Sequence, residues 1–182
     1  MAGWVALLRG INVNGITITM TDLRSVFRGL GYTDVRTVLA SGNVVFTAGE
    51  TDVAALKAGI ERALSDTFGY QAWIVLVAVD ALHRVVQAYP FDPERDGWHP
   101  YVVFGSEQSA LDELINAAGN GDPETEQVLP GAGVLYWQVR RSIGINSTFS
   151  KLSGKARYRS NTTTRNLRTL NKLLAAAATS GA

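Results

Sequence analysis

The order of apolar patterns over residues 1–79 restricts the fold of this chain more than any other feature. A strand pattern at 4–8 is followed by a helical pattern, two strand patterns separated by the turn ASGN, a second helical pattern and the apolar run AWIVLVAV. Apolar residues spaced three and four apart indicate the helices, and the continuous run indicates a strand buried on both faces. The predicted order β-α-β-β-α-β is that of a ferredoxin-like split βαβ unit, with an antiparallel sheet and both helices on one face.

Both helices in this region are amphipathic. Thr21 is predicted to cap the first helix, and Gly31 is predicted to end it because glycine tolerates the left-handed conformation found there. The apolar faces comprise Leu23, Val26, Phe27 and Leu30 in the first helix and Val53, Leu56, Ile60, Leu64 and Phe68 in the second. Strands are predicted at 33–39 and 43–48, with a hairpin-like turn between them.

Residues 80–182 repeat much of this pattern. A short helix ends before Pro90, a strand follows at 101–104, and Ser109 is predicted to cap the next helix. Strands near 124–129 and 133–140 and helices near 147–153 and 165–178 complete the chain. We therefore predict an α+β fold of two related ferredoxin-like subdomains, 1–79 and 80–182, with largely antiparallel sheets. They form either two lobes or one compact unit.

Composition limits the cellular setting. Cysteine is absent, which excludes disulfides and thiolate metal sites and favours a reducing compartment. The first residues show no basic leader and no cleavage site, and the run at 72–79 is far shorter than the roughly 20 residues of a membrane-spanning helix. We expect a soluble cytoplasmic protein with no membrane partner.

The charges are distributed unevenly along the chain. Residues 1–126 contain 8 Lys or Arg and 16 Asp or Glu, whereas residues 127–182 contain 9 Lys or Arg and no acid. This asymmetry has two explanations. Either the basic segment folds onto the acidic part and neutralises it, or it binds an anionic partner.

No set of side chains typical of an enzyme or a cofactor site stands out. The two histidines, His83 and His99, are too few for a zinc site, and the acidic stretch DPERDG has Val103 where a calcium loop needs glutamate. His83 is predicted to lie on a helix surface, and His99 in the acidic loop. We expect no metal and no cofactor. Enzymatic activity stays open, because no nucleophile and base can be paired from the sequence.

The stretch NTTTRNLRTLNKLL at 161–174 places three threonines and an Arg-Asn pair before an apolar helical repeat. The first N–H groups of a helix lack partners and carry partial positive charge, so added hydroxyl and guanidinium donors predict an anion site at the helix entrance. The alternative is structural. One threonine is then the N-cap, Arg165 pairs with an acid, and Asn166 bonds to a loop carbonyl.

Several motifs resemble those of a known family. LLRGINVNG, then MTDLRSVFRGLGYTDVRTVLASGNVVF, and TTTRNLRTLNKL near the end resemble the bacterial family known as domain of unknown function 1697. The resemblance implies an α+β fold of two related subdomains and no established activity. The residues at its motif positions are Arg9, Asn12, Ser41, Asn43, Thr163, Thr164, Arg165, Asn166, Thr169 and Lys172. The chain departs from the pattern at Asn14, Leu167 and Arg168, where the family has glycine, tryptophan and asparagine.

Two functions follow as hypotheses. The first is binding of a small anionic ligand, bearing a phosphate or a carboxylate, in a cleft between the subdomains. Its predicted ligand residues are Arg9, Asn12, Ser41, Asn43, Thr163, Thr164, Arg165, Asn166 and Lys172. The second is binding of nucleic acid by the basic C-terminal segment, with Tyr136, Trp137 and Tyr158 as candidate stacking residues.

Overall fold

The structure is a computed structural model that describes residues 1–11, 15–119, 121–158 and 161–179. The chain divides into two compact units. Unit 1 comprises Met1–His83 and Asn171–Ala182, and unit 2 comprises Arg84–Leu170. Within the described residues, no helix is long and apolar enough to cross a membrane.

Each unit contains one four-stranded antiparallel sheet. The elements are β1 (Ala2–Arg9), α1 (Met20–Gly29), β2 (Thr33–Thr37), β3 (Asn43–Ala48), α2 (Val53–Phe68), β4 (Trp73–Ala78), α3 (Val79–Gln87), β5 (Trp98–Gly105), α4 (Gln108–Ala118), β6 (Glu126–Pro130), β7 (Val134–Arg140), α5 (Thr148–Ser153), β8 (Thr162–Asn166) and α6 (Leu167–Ala178). The strand orders are β2-β3-β1-β4 and β6-β7-β5-β8. The predicted α+β class is confirmed, and both sheets have the connectivity of a β-α-β-β-α-β unit.

The core of unit 1 lies between one face of its sheet and helices α1 and α2. Successive residues of a strand point to opposite faces, so Trp4, Ala6 and Leu8 of β1 all face the helices. The ring of Phe46 in β3 packs edge-on against the ring of Phe27 in α1, with centroids 5.2 Å apart. Sheet and helices thus bury the apolar faces that the sequence predicts.

The helix caps differ in part from the predictions. Thr19, rather than Thr21, caps α1 and accepts a hydrogen bond from the N–H of Asp22. Helix α4 has Glu107 at its N-cap position without a capping hydrogen bond, and Ser109 lies inside the helix. In α1 two neighbouring threonines could serve as the cap, and the helix begins after the first of them. In α4 the helix begins before Ser109, so its hydroxyl cannot cap it.

Helix α2 has a side-chain cap that gives a direct test of local stability. Oδ1 of Asp52 accepts hydrogen bonds from the N–H groups of Ala54 at 2.9 Å and Ala55 at 3.2 Å. We expect Asp52→Ala to lower the free energy of unfolding by about 1 kcal/mol, measured by urea denaturation. Asp66→Ala is the matched control. Asp66 lies near the C-terminal end of the same helix, where a carboxylate opposes the helix dipole, so its removal leaves stability unchanged or slightly raised. Equal losses in the two variants would contradict the capping role.

Unit 2 contains a strand that the sequence analysis missed. Thr162–Asn166 forms β8 at the edge of the sheet, paired antiparallel with β5. Strand β5 also begins earlier than predicted, at Trp98, because it pairs with β7 along its full length. The core lies on the face that carries Val103 and Trp137, against α4 and α5. His99 therefore belongs to a strand and not to the acidic loop.

The fold removes the charge asymmetry seen along the sequence. Unit 1 contains seven Lys or Arg and seven Asp or Glu, and unit 2 contains ten and nine, so their net charges are 0 and +1. Three ion pairs in unit 2 join the basic segment to acids that precede it in the chain: Arg140–Glu124 at 3.9 Å, Arg168–Glu94 at 3.9 Å, and Arg157–Glu113. At these places the segment neutralises the acidic part of the chain.

Candidate functional site

Two of the predicted ligand residues form the turn between β2 and β3. Asn43 is fully buried, and its Nδ2 donates hydrogen bonds to the carbonyl of Val38 at 2.8 Å and to Oγ of Ser41 at 2.9 Å. Gly42 lies between them at φ +80°, and its carbonyl accepts a hydrogen bond from the N–H of Leu8 at 2.8 Å. These side chains thus hydrogen-bond within the turn, and the backbone carbonyl of Gly42 joins the turn to β1. A ligand role of Ser41 and Asn43 stays a prediction.

The predicted start of the last helix near residue 165 is wrong. All five residues of TTTRN form β8, Thr162–Asn166, and α6 begins at Leu167. Arg165 is buried, and its Nη1 donates to Oγ1 of Thr163 at 2.6 Å and to the carbonyl of Thr164 at 3.0 Å. Oδ1 of Asn166 accepts a hydrogen bond from the N–H of Arg168 at 2.9 Å, so Asn166 and not a threonine caps the first turn.

Two further predicted ligand residues, Arg9 and Lys172, lie in unit 1. Arg9 ends β1 opposite Trp73 and is half-buried, and Lys172 is exposed in the second turn of α6. Asn12 lies outside the described residues. The structure thus brings together Thr163, Thr164, Arg165 and Asn166 in one strand, and Ser41 with Asn43 in one turn. Convergence of the two groups in one site stays a prediction.

A different set of polar side chains gathers at one end of the sheet of unit 2. We call it the His99 cluster: it comprises His99 and Tyr101 of β5, Arg141 directly after β7, and Asn166 and Arg168 where β8 passes into α6. His99 lies opposite Val139 and Tyr101 lies opposite Asn166 in the two ladders. Because residues two apart share a face, Arg141 and Asn166 lie on the same face as His99, on either side of β5.

Hydrogen bonds and ring contacts fix the members of the His99 cluster. Arg141 donates from its backbone N–H to the carbonyl of Gly97 at 2.8 Å and from Nε to the carbonyl of Trp98 at 3.4 Å. Burial raises the pKa of the Tyr101 hydroxyl, and its interaction with the side chain of Asn166 opposes that rise. The Tyr101 ring stacks on Trp137 with centroids 4.8 Å apart and lies 5.8 Å from the ring of His99.

The electrostatic potential at His99 is positive. Burial lowers the pKa of its imidazole below the usual value, and the guanidinium groups of Arg141 and Arg168 lower it further. Within the described residues no carboxylate lies within 4.0 Å of an Arg141 nitrogen, and Arg168 has only the exposed Glu94 at 3.9 Å. An ion pair in open solvent is worth at most about 1 kcal/mol, so Glu94 leaves most of the field in place.

Other sequence candidates are structural. Tyr136, Trp137 and Tyr158 are all buried, so none of the three can stack on a nucleic-acid base. The acidic stretch before β5 is an exposed turn, in which Asp92 accepts a hydrogen bond from the N–H of Glu94 at 2.9 Å. His83 is exposed on α3, as predicted. In the described part of the chain, no three His, Asp or Glu side chains are grouped as metal ligands.

The comparisons with known proteins concern family and fold. The sequence model of a family of proteins of unknown function, DUF1697, matches residues 1–136, and no curated protein matches significantly. A conserved bacterial protein from Streptococcus pneumoniae is 23% identical in sequence and superposes with a TM-score of 0.80, which shows a shared fold. The match covers 97% of this chain and 98% of the Streptococcus protein. An unknown protein from Galdieria sulphuraria, at 12% identity over 98% of this chain and 90% of its own, reaches only 0.28. Since the family match covers most of the chain, this protein belongs to the DUF1697 family of proteins of unknown function.

Proposed function

We propose that the protein binds a small anionic ligand at the His99 cluster. The observation that carries this proposal is the register of the sheet, which places Arg141 after β7 and Arg168 after β8 on either side of β5 at His99. The lowered pKa of His99, to which both guanidinium groups contribute after burial, supports it. The two arginines come from different elements on either side of β5, so their positive fields overlap at the histidine. Side chains that repel one another in this way favour a negatively charged group between them.

The donors of the His99 cluster suit an anion. A guanidinium group presents five N–H donors in a planar fork and binds carboxylate or phosphate oxygens in pairs. The imidazole of His99 is half-exposed and lies 5.8 Å from the Tyr101 ring. The N-terminus of α6, which Asn166 caps, adds partial positive charge next to Arg168. Asn166 is the member of this site that the sequence analysis also predicted.

Thermal unfolding with added anions tests the proposal. An anion present at 100 times its dissociation constant stabilises the protein by about 2.7 kcal/mol. For a chain of this size we expect a rise in Tm of about 5 to 10 °C. Phosphate, sulfate and acetate are compared with sodium chloride at equal ionic strength, which separates specific binding from screening.

Two variants make this test specific. In the double variant Arg141→Gln/Arg168→Gln, which changes exposed side chains only, the rise in Tm with anion should disappear. Arg157→Gln is the matched control, because Arg157 is an exposed arginine of the same unit that pairs with Glu113 and does not act on His99. If no anion raises Tm above the chloride control, or if the double variant responds like the wild-type protein, the proposal is wrong.

A polyanion is the less favoured ligand. The net charges of 0 and +1 give neither unit the broad positive field that supports binding to a nucleic-acid backbone. The candidate stacking residues are buried as well. The structure therefore favours a localised charge, held by a few side chains, over an extended strand.

A further inference from the structure

We propose that the ligand of the His99 cluster is a tetrahedral dianion of the phosphate-monoester class rather than a carboxylate, and that its binding is coupled to uptake of a proton by His99. This inference rests on the proposed function and names the ligand class and the pH response of the same site. The cluster contains two fixed positive charges, on Arg141 and Arg168, and one imidazole base, His99, and a dianion matches the two fixed charges.

The balance of charge separates the two ligand classes. Arg141 and Arg168 carry two positive charges, of which Glu94 offsets part of one at 3.9 Å in open solvent. A carboxylate monoanion neutralises only one of the two guanidinium groups, which leaves His99 beside a remaining positive charge. A phosphate dianion neutralises both, and its three terminal oxygens can accept from donors on more than one side of the site. The arrangement on the two sides of β5 therefore fits a tetrahedral group.

The proton coupling follows from what surrounds His99. The charged or titratable groups near it are Tyr101 on its own strand, Arg141 after β7, Arg168 on α6 and Glu94 next to Arg168. Val139 is its neighbour on β7 and carries no charge. Beyond Val139 on the same face lies Glu126 of β6, whose buried carboxylate is bound to Trp137 and Phe149. Without a ligand, the pKa of His99 lies below its usual value because burial and both arginines disfavour the imidazolium. A bound dianion cancels the repulsion and attracts the imidazolium, so the complex holds the proton to a higher pH.

The sign of the pH effect is fixed by this difference. The imidazole takes up its proton at a higher pH in the complex than in the ligand-free protein, so the complex binds more protons between the two pKa values. Affinity for the dianion therefore rises as the pH falls through that interval. The coupling is reciprocal. If a saturating dianion raises the pKa of His99 by one unit, the protein with protonated His99 binds that dianion about tenfold more tightly than the protein with neutral His99.

The chain provides its own control for the test, because His83 and His99 are its only histidines. The imidazole proton resonances of the full chain are titrated with pH by NMR, first in sodium chloride and then with phosphate, sulfate or acetate at equal ionic strength. His83 is exposed on α3 and reports the general effect of salt. Phosphate itself changes charge over the pH range in which the imidazole titrates. Sulfate remains a dianion throughout that pH range, so a change seen with sulfate comes from His99 and not from the anion.

We expect phosphate and sulfate to raise the pKa of His99 by about one unit or more and to leave His83 nearly unchanged, with acetate having little effect. In Arg141→Gln/Arg168→Gln the pKa of His99 should rise in chloride alone, and the dianions should no longer change it. Anion-dependent shifts of the His99 resonances without a change in its pKa would overturn the proton coupling and leave the proposed function standing. An equal effect of acetate would overturn the preference for a dianion. No response of His99 resonances or of Tm to any anion would overturn the proposed function itself.

Discussion

Replacing Gly42 with alanine is expected to lower the free energy of unfolding by about 2 to 5 kcal/mol. Gly42 has φ +80°, a conformation that costs an L-residue roughly 1 to 2 kcal/mol. The added Cβ would also lie 2.7 Å from Cδ1 of Ile11 and 2.8 Å from Cβ of Leu8, and both of these side chains are buried in the core. Relief of such contacts moves well-packed atoms and costs a further 1 to 3 kcal/mol or so. Urea denaturation followed by tryptophan fluorescence measures the loss.

Gly31→Ala is the control that separates backbone strain from the steric clash. Gly31 has φ +84°, and an added Cβ there would meet no atom within 4 Å. The loss of stability should therefore be limited to the strain of about 1 to 2 kcal/mol. If the two variants lose the same stability, the close approach of Gly42 to Leu8 and Ile11 has no energetic effect, and the explanation of this turn fails.

The S-G-N motif at 41–43 makes hydrogen bonds within its own turn. Ser41 and Asn43 are predicted ligand residues because they occupy motif positions of the resembling family and flank a turn, and a ligand role for them stays a prediction. The structure gives their side chains a hydrogen bond to one another, and the glycine between them is where the turn meets β1. A sequence shows that a turn contains polar residues, but whether their donors face solvent or the turn itself depends on contacts with distant strands.

Local patterns predicted most of the fold correctly because most elements carry their own signal. The helix at 53–68 has apolar residues on one face and Gly69 after its end, in the left-handed conformation. Strand β8 lacks such a signal. Its threonines have strand propensity, but they precede a helix directly and face polar as well as apolar surroundings. Pairing with β5, which lies far away in the sequence, makes these residues a strand, and a local pattern cannot show that pairing.

The His99 cluster could not be predicted from the sequence either, because pairing between distant strands assembles it. His99 follows an acidic stretch, and its neighbours in sequence indicate a solvated loop. The two arginines that set its electrostatics come from the end of β7 and from α6. Only the register of three strands brings them to one end of the sheet. The available sequence signal was the density of arginines in the acid-free segment, which indicates an anionic partner without locating its site.

Loss of the Glu126 carboxylate is expected to destabilise unit 2 about as strongly as the Gly42 substitution destabilises unit 1. Glu126 is only 4% exposed. Its Oε2 accepts a hydrogen bond from Nε1 of Trp137 at 3.3 Å, and its Oε1 accepts one from the N–H of Phe149 at 3.1 Å. Phe149 is the second residue of α5, so this carboxylate joins β6 to β7 and to the start of a helix.

We expect Glu126→Ala to lower the free energy of unfolding by about 2 to 5 kcal/mol, because it leaves two buried donors without a partner and each costs about 1 to 3 kcal/mol. Glu126→Gln retains one acceptor oxygen and should lose roughly half as much. Glu124→Ala is the matched control: its carboxylate is 85% exposed and lies 3.9 Å from Arg140, so its loss should cost about 0.5 kcal/mol or less. Urea denaturation measures all three variants, and near-UV circular dichroism of the four tryptophans, Trp137 among them, shows whether the packing around them persists. Equal losses for Glu126→Ala and Glu124→Ala would mean that the buried carboxylate contributes no more than a surface charge, and that α5 is held by apolar packing alone.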